Sequence, residues 1–100
     1  MEKISVLTQS KEDCLEAILV ISVEKKWVRV RDVADYLGVK MSSVVMGIKF
    51  LTKKGLVDHE KYGYIELTRQ GLRAAEQVYA RHKTLYKFLH DFLRLSEAVA

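Results

Sequence analysis

Cysteine is nearly missing from this sequence. A single one, Cys14, in 100 residues excludes an internal disulfide and points to a reducing, cytoplasmic setting. Long hydrophobic runs are missing as well. No stretch approaches the length of a membrane span, and the N-terminus lacks the pattern of a signal peptide. There is no glycine-rich phosphate loop and no Ser-His-acid or Cys-His arrangement, so an enzyme is not expected. Repeats, linkers and low-complexity tracts are also absent.

What is present is apolar residue in quantity, 49% of the chain, enough for one modest core in one domain. Charge is unevenly spread. Between Lys25 and Lys61 stand nine basic residues against four acidic ones, a local +5 within a total of +4. A basic segment of this kind suits a polyanion such as nucleic acid, the plainer reading being a solvated surface.

Periodicity divides the chain into elements. Ser10 with Asp13 three residues on forms a capping box and opens a helix to about Glu24, within which "CLEAILVI" is apolar on more than one face. "WVRV" at 27–30 alternates as a short strand. In "RDVADYLG" Asp32 is a candidate N-cap, Val33, Ala34 and Leu37 share a face, and Gly38 stops the helix. A further helix runs from about Lys40 or Met41 to Lys54. "LVDHE" and "YIELT" then form a hairpin, with Gly63 supplying a positive φ at the turn. Thr68 caps a last helix of about 26 residues and 39 Å, and Ser96–Glu97 resembles the start of one more. The order predicts a mostly α fold with a small β-hairpin. Residues 1–75 form a winged helix-turn-helix, and 76–100 begin a helical dimerisation and metal-binding domain, seen only in part.

The helix "KMSSVVMGIKF" is apolar around nearly its whole girth. Val44, Ile48 and Leu51 supply a core face at helical spacing. Ser42, Ser43, Val45, Met46 and Lys49 are left outward at the positive, amino-terminal end. Small hydroxyls there bond phosphates or base edges, and apolar side chains press on thymine methyls. These residues are therefore expected to read double-stranded DNA, or alternatively to contact another protein. Arg29, Arg31, Lys49, Lys53, Lys54 and Lys61 would neutralise phosphates around them. Gly47 costs helix stability, and only close approach to a neighbour explains it. In the last helix Leu85, Leu89, Phe92 and Leu93 lie beyond the reach of one small core. A second copy of the chain is expected to cover them as a homodimer.

Four stretches, "SKEDCLEAI", "VRVRDVADYLGVKMSSVV", "LTKKGLVDHEKYGYIELTRQGLRAAE" and "RHKTLYKFL", resemble the metal-dependent repressors of the diphtheria-toxin-repressor family, and most nearly its manganese-transport-regulator branch. The likeness extends over residues 10–97. It implies a homodimer of winged-helix domains that binds palindromic operators when charged with Mn2+ or Fe2+. Positions matching Asp13, Glu16 and His82 are ligands or near-ligands in the family, and an acid at both of the first two resembles the manganese type. The residues support this directly. Asp13 and Glu16 lie one turn apart on one helix face, and two carboxylates with an imidazole suit manganese, iron or zinc. Asp13 is equally a capping partner, Glu16 equally a solvated acid, and His82 equally a hydrogen-bonded core residue. Tyr86 stands where iron-type members often carry a glutamate. Cys14 replaces a usual tyrosine and reads as a small core residue. The family's remaining ligands belong to a helix beginning near Ser96, past which the chain ends. The alternative expectation is therefore a metal-independent winged-helix domain used in protein–protein contact.

Overall fold

The computed structural model describes residues 8–59 and 63–99, with side chains as far as Thr84. Lys61 and Tyr62, and the side chains of Leu85, Leu89, His90, Phe92 and Leu93, lie outside the described residues.

Helix α1 spans Gln9–Glu24, strand β1 Val28–Arg29, α2 Val30–Leu37 and α3 Met41–Lys53. Strands β2, Val57–His59, and β3, Tyr64–Leu67, form the wing, and α4 covers Arg69–Val99. The three strands make one antiparallel sheet in the order β1-β3-β2. Val28 stands opposite Ile65, and Val57 opposite Leu67.

This is the winged helix-turn-helix that the element order predicts. The core forms where the apolar faces converge. Leu15 and Ile18 of α1, Val33 of α2, Val44, Ile48 and Leu51 of α3, and Val28, Val57 and Ile65 of the sheet are all buried. These three helical stripes, Ala75 of α4 and the inward strand positions thus close on one centre. Fully burying a side chain of this class contributes about 1.5–3 kcal/mol.

Local chemistry explains most element ends. Gly38 adopts φ 69°, ψ 36°, and its N–H donates to the Ala34 carbonyl at 2.8 Å, closing α2. At the wing Gly63 has φ 89°, as the hairpin turn requires. Thr68 caps α4: its Oγ1 accepts from the Gly71 N–H at 3.0 Å and its hydroxyl donates to the Gly55 carbonyl at 2.7 Å.

Three local expectations need correcting. α1 begins at Gln9 with Thr8 as its flanking residue, so Ser10 lies inside the helix and caps nothing. Asp13 accepts instead from the Gln9 side-chain amide at 3.1 Å, one turn back. α2 begins at Val30, and Arg29 rather than Asp32 flanks it. Asp32 sits in the first turn, where its carboxylate takes the Arg29 backbone N–H at 3.0 Å and the Lys25 ammonium at 2.9 Å. Those two bonds hold its pKa below the ordinary aspartate value, the Lys25 contact foremost. Finally, α4 runs unbroken through Ser96 and Glu97. At 31 residues it is about 46 Å long rather than 39 Å.

Candidate DNA interface and metal centre

The outward face of α3 carries the expected residues. Ser42, Met46, Lys49 and Lys53 are exposed at spacings of three and four, and so share one side of the helix. Ser43, also exposed, stands in the first turn, and its N–H donates to the Lys40 carbonyl at 3.1 Å. No side chain caps this end, which leaves the positive pole of the helix without a side-chain partner. Met46 is 73% exposed, a large cost for an apolar side chain with nothing over it. Val45 is half-buried rather than fully outward. Arg29 on β1 and Arg31 in the first turn of α2 are both exposed.

Gly47 has a physical account. A Cβ built there would stand 3.2 Å from Cys14 Sγ, so the glycine lets α3 press against α1 at the cysteine. Burial raises the Cys14 thiol above its ordinary value, with the neighbouring Asp13 carboxylate adding to the shift, so the group is a packed thiol rather than a ready thiolate.

On the far side of α1, Asp13 and Glu16 meet His82 of α4. One oxygen or nitrogen atom from each lies within 4.8 Å of the others, and all three side chains are half-buried. His82 Nδ1 and Glu16 Oε1 are 2.6 Å apart, joining α1 to α4. One turn earlier on α1, Glu12 Oε2 accepts from Arg81 Nη2, the neighbour of His82, at 3.0 Å, a second tie between these helices. A pair of carboxylates and an imidazole gathered from two packed helices suits a divalent transition ion such as Mn2+ or Fe2+, with water completing the coordination. Asp13 also lines a cleft of about 450 Å3 together with Cys14, Ser43, Val44, Met46 and Gly47. Asp13 and the first turns of α3 therefore border a common space.

Trp27, beside the strand, makes a contact that its local pattern does not announce. Its ring stacks on Tyr64 at 4.7 Å between centroids and 27° between planes. The Arg29 guanidinium lies 5.0 Å from the Tyr64 ring centre, and Arg29 Nη2 donates to Tyr64 Oη at 3.1 Å. The available signal was spacing: residues 27 and 29 of a strand share a face.

Comparison with known proteins supplies the family. Residues 6–65 match the model of the iron dependent repressor N-terminal DNA binding domain. The chain belongs to that family. A similar relative is an uncharacterized HTH-type transcriptional regulator of Methanocaldococcus jannaschii, 37% identical over 94% of this chain and 76% of that protein. The HTH-type transcriptional regulator MntR of Lysinibacillus sphaericus is likewise 37% identical, over 82% of this chain and 59% of its own length. The match thus spans under two thirds of that MntR protein. Among solved structures, the adhesin competence repressor AdcR of Streptococcus pyogenes superposes with a TM-score of 0.70 at 20% identity, over 88% of this chain and 66% of that one. A MarR family protein of Mycobacterium tuberculosis gives 0.66 at 19%, over 93% and 74%. At such identities these two establish the winged-helix fold alone. As a member of the iron dependent repressor family the chain is a transcriptional regulator rather than an enzyme. No helix among its described residues is long and apolar enough to cross a membrane.

Proposed function

We propose that this chain is a metal-responsive repressor that binds palindromic DNA operators as a homodimer when charged with Mn2+ or Fe2+. The observation that carries the proposal is the convergence of Asp13, Glu16 and His82 within 4.8 Å, on the helix pair that supports the DNA-binding domain. These three residues would hold the ion, and its positive charge would keep the two carboxylates together and tie α1 to α4. Ser42, Ser43 and Met46 read base edges, while Arg29, Arg31, Lys49, Lys53 and Lys61 hold phosphates. Leu85, Leu89, Phe92 and Leu93 of α4 meet their counterparts in a second copy. Residues 1–75 act as the DNA-binding domain and 76–100 as the start of the dimerisation and metal-binding part. A two-fold dimer presents two α3 helices to successive major grooves about 34 Å apart, or a multiple of that. Metal then selects the spacing that fits, a population shift driven by differential affinity.

The test is selection of binding sites from a random duplex pool, with and without manganese. Enrichment of a palindrome only with manganese is expected, together with loss of the metal requirement or of binding in His82→Ala. A Ser43→Glu variant should keep its fold and lose enrichment. Direct manganese titration should show roughly tenfold weaker binding for His82→Ala. Equal manganese affinity in both proteins refutes the metal site.

A second reading, a metal-independent domain for protein contact, draws on the exposed Tyr36, Val39, Met41 and Met46 around the turn and α3. Salt separates the two: phosphate contacts weaken steeply with ionic strength, and apolar docking barely responds.

A further inference from the structure

The outer face of the sheet carries a group of side chains that the DNA-reading helix does not use. Val28 and Ile65 point into the core, so Trp27, Arg29 and Tyr64 occupy the opposite face. Trp27 remains 46% exposed although its ring stacks on Tyr64. The Lys26 ammonium lies 5.3 Å from the centre of the Trp27 ring. Two cations are thus mounted on two stacked aromatic rings at the edge where β1 joins the wing.

Arg29 is fixed at both ends. Its backbone N–H is held by the Asp32 carboxylate, itself anchored by Lys25, and its side chain by the Tyr64 ring and hydroxyl. A free arginine side chain loses much rotamer freedom on meeting a ligand, and here that loss is taken on folding. The guanidinium is nonetheless exposed. Among the described residues the acids near this edge are Asp32, engaged by Lys25 and the Arg29 N–H, and Glu66 of β3, which follows Tyr64 by two residues and pairs with Asp58 of β2 on the other side. Lys25, Lys26 and Arg29 outnumber Asp32 and Glu66 there, and the planar donor group of Arg29 is pre-set for an anion with several acceptor oxygens.

We propose that the Trp27–Tyr64 stack is a platform that presents Arg29, with Lys26 beside it, to the sugar–phosphate backbone of duplex DNA flanking the segment read by α3. Tyr64 and Trp27 are positioning residues; Arg29 makes the contact. The inference rests on the proposed DNA binding and deepens it: the sheet holds Arg29, one of the phosphate-binding residues, in place before DNA arrives.

Binding to a mixed-sequence duplex of about three helical turns, followed over a range of salt, tests it without knowledge of an operator. Arg29→Gln should reduce the slope of log K against log salt by about 0.9, the value of one phosphate contact. Tyr64→Phe should weaken binding about threefold in the wild-type background and not at all beside Arg29→Gln, as expected of groups acting through one another. A merely structural role for Tyr64 predicts equal weakening in both backgrounds. Trp27 is the sole tryptophan, so its emission should change when duplex is added. An unchanged slope in Arg29→Gln, or equal effects of Tyr64→Phe in the two backgrounds, overturns the platform while wild-type binding keeps the DNA reading intact. Absence of salt-dependent binding by the wild-type chain overturns both.

Discussion

Replacing Gly71 with alanine sets two effects against each other. Within a helix alanine is favoured over glycine by about 1 kcal/mol, so propensity alone predicts a more stable protein. Geometry predicts the reverse. A Cβ at Gly71 would stand 1.8 Å from the Leu56 carbonyl oxygen and 2.8 Å from its carbon. Relief requires a displacement of roughly 1.5 Å to reach ordinary contact. Nothing there is soft. The Leu56 carbonyl accepts from the Thr68 N–H at 3.1 Å, and the Leu56 N–H donates to Leu51 at 2.9 Å. Thr68 is bound in turn to Gly55 and to Gly71 itself. Overpacking costs about 1–3 kcal/mol, and each hydrogen bond strained or lost adds about 1 kcal/mol. The clash should win, for a net loss of about 2 kcal/mol and a fall in Tm of about 10 °C in a domain of this size. Thermal unfolding followed by helical circular dichroism measures it. The effect should also reach the proposed metal centre, because His82 lies about three turns, or 16 Å, further along the same helix. A shifted start of α4 moves the imidazole relative to Asp13 and Glu16, and manganese affinity should drop. A Tm equal to or above that of the wild type would refute the reasoning.

Two further outcomes follow from the geometry. Asp32→Asn should destabilise the protein by about 0.5–1 kcal/mol at neutral pH, because the charge held by Lys25 is removed. The Asp32 pKa is depressed on folding, so its contribution is present above the unfolded value of about 3.9 and is lost as pH falls through the folded one. Urea melts should show the gap between the two proteins closing below that pH, and a constant gap would count against the ion pair. Gly47→Ala should realise most of its helical gain of about 1 kcal/mol only beside Cys14→Ala, since the added methyl meets the thiol at 3.2 Å. Additivity of the two changes within about 0.5 kcal/mol would show that the contact carries no coupling.

Local pattern was enough to reveal much of this protein. Val44, Ile48 and Leu51 announced a core face, and Gly38 and Gly63 marked backbone turns that their φ angles bear out. Asp13 and Glu16 were readable as one face of one helix because their spacing is a single turn. Element ends were less legible. Ser10 and Asp32 have the right chemistry for N-caps, yet their helices start upstream, since packing of the apolar stripes outweighs a cap of about 1 kcal/mol.

What the sequence by itself determined is the set of periodic elements, their order, and hence the winged helix-turn-helix, because helical and strand spacings are properties of neighbours along the chain. What only the tertiary structure decided lies between elements far apart in sequence. The 2.6 Å approach of His82 to Glu16, the thiol of Cys14 beneath Gly47 and the stack of Trp27 on Tyr64 are of this kind. Their distances depend on how whole helices and strands settle on a common core, and no local spacing encodes that.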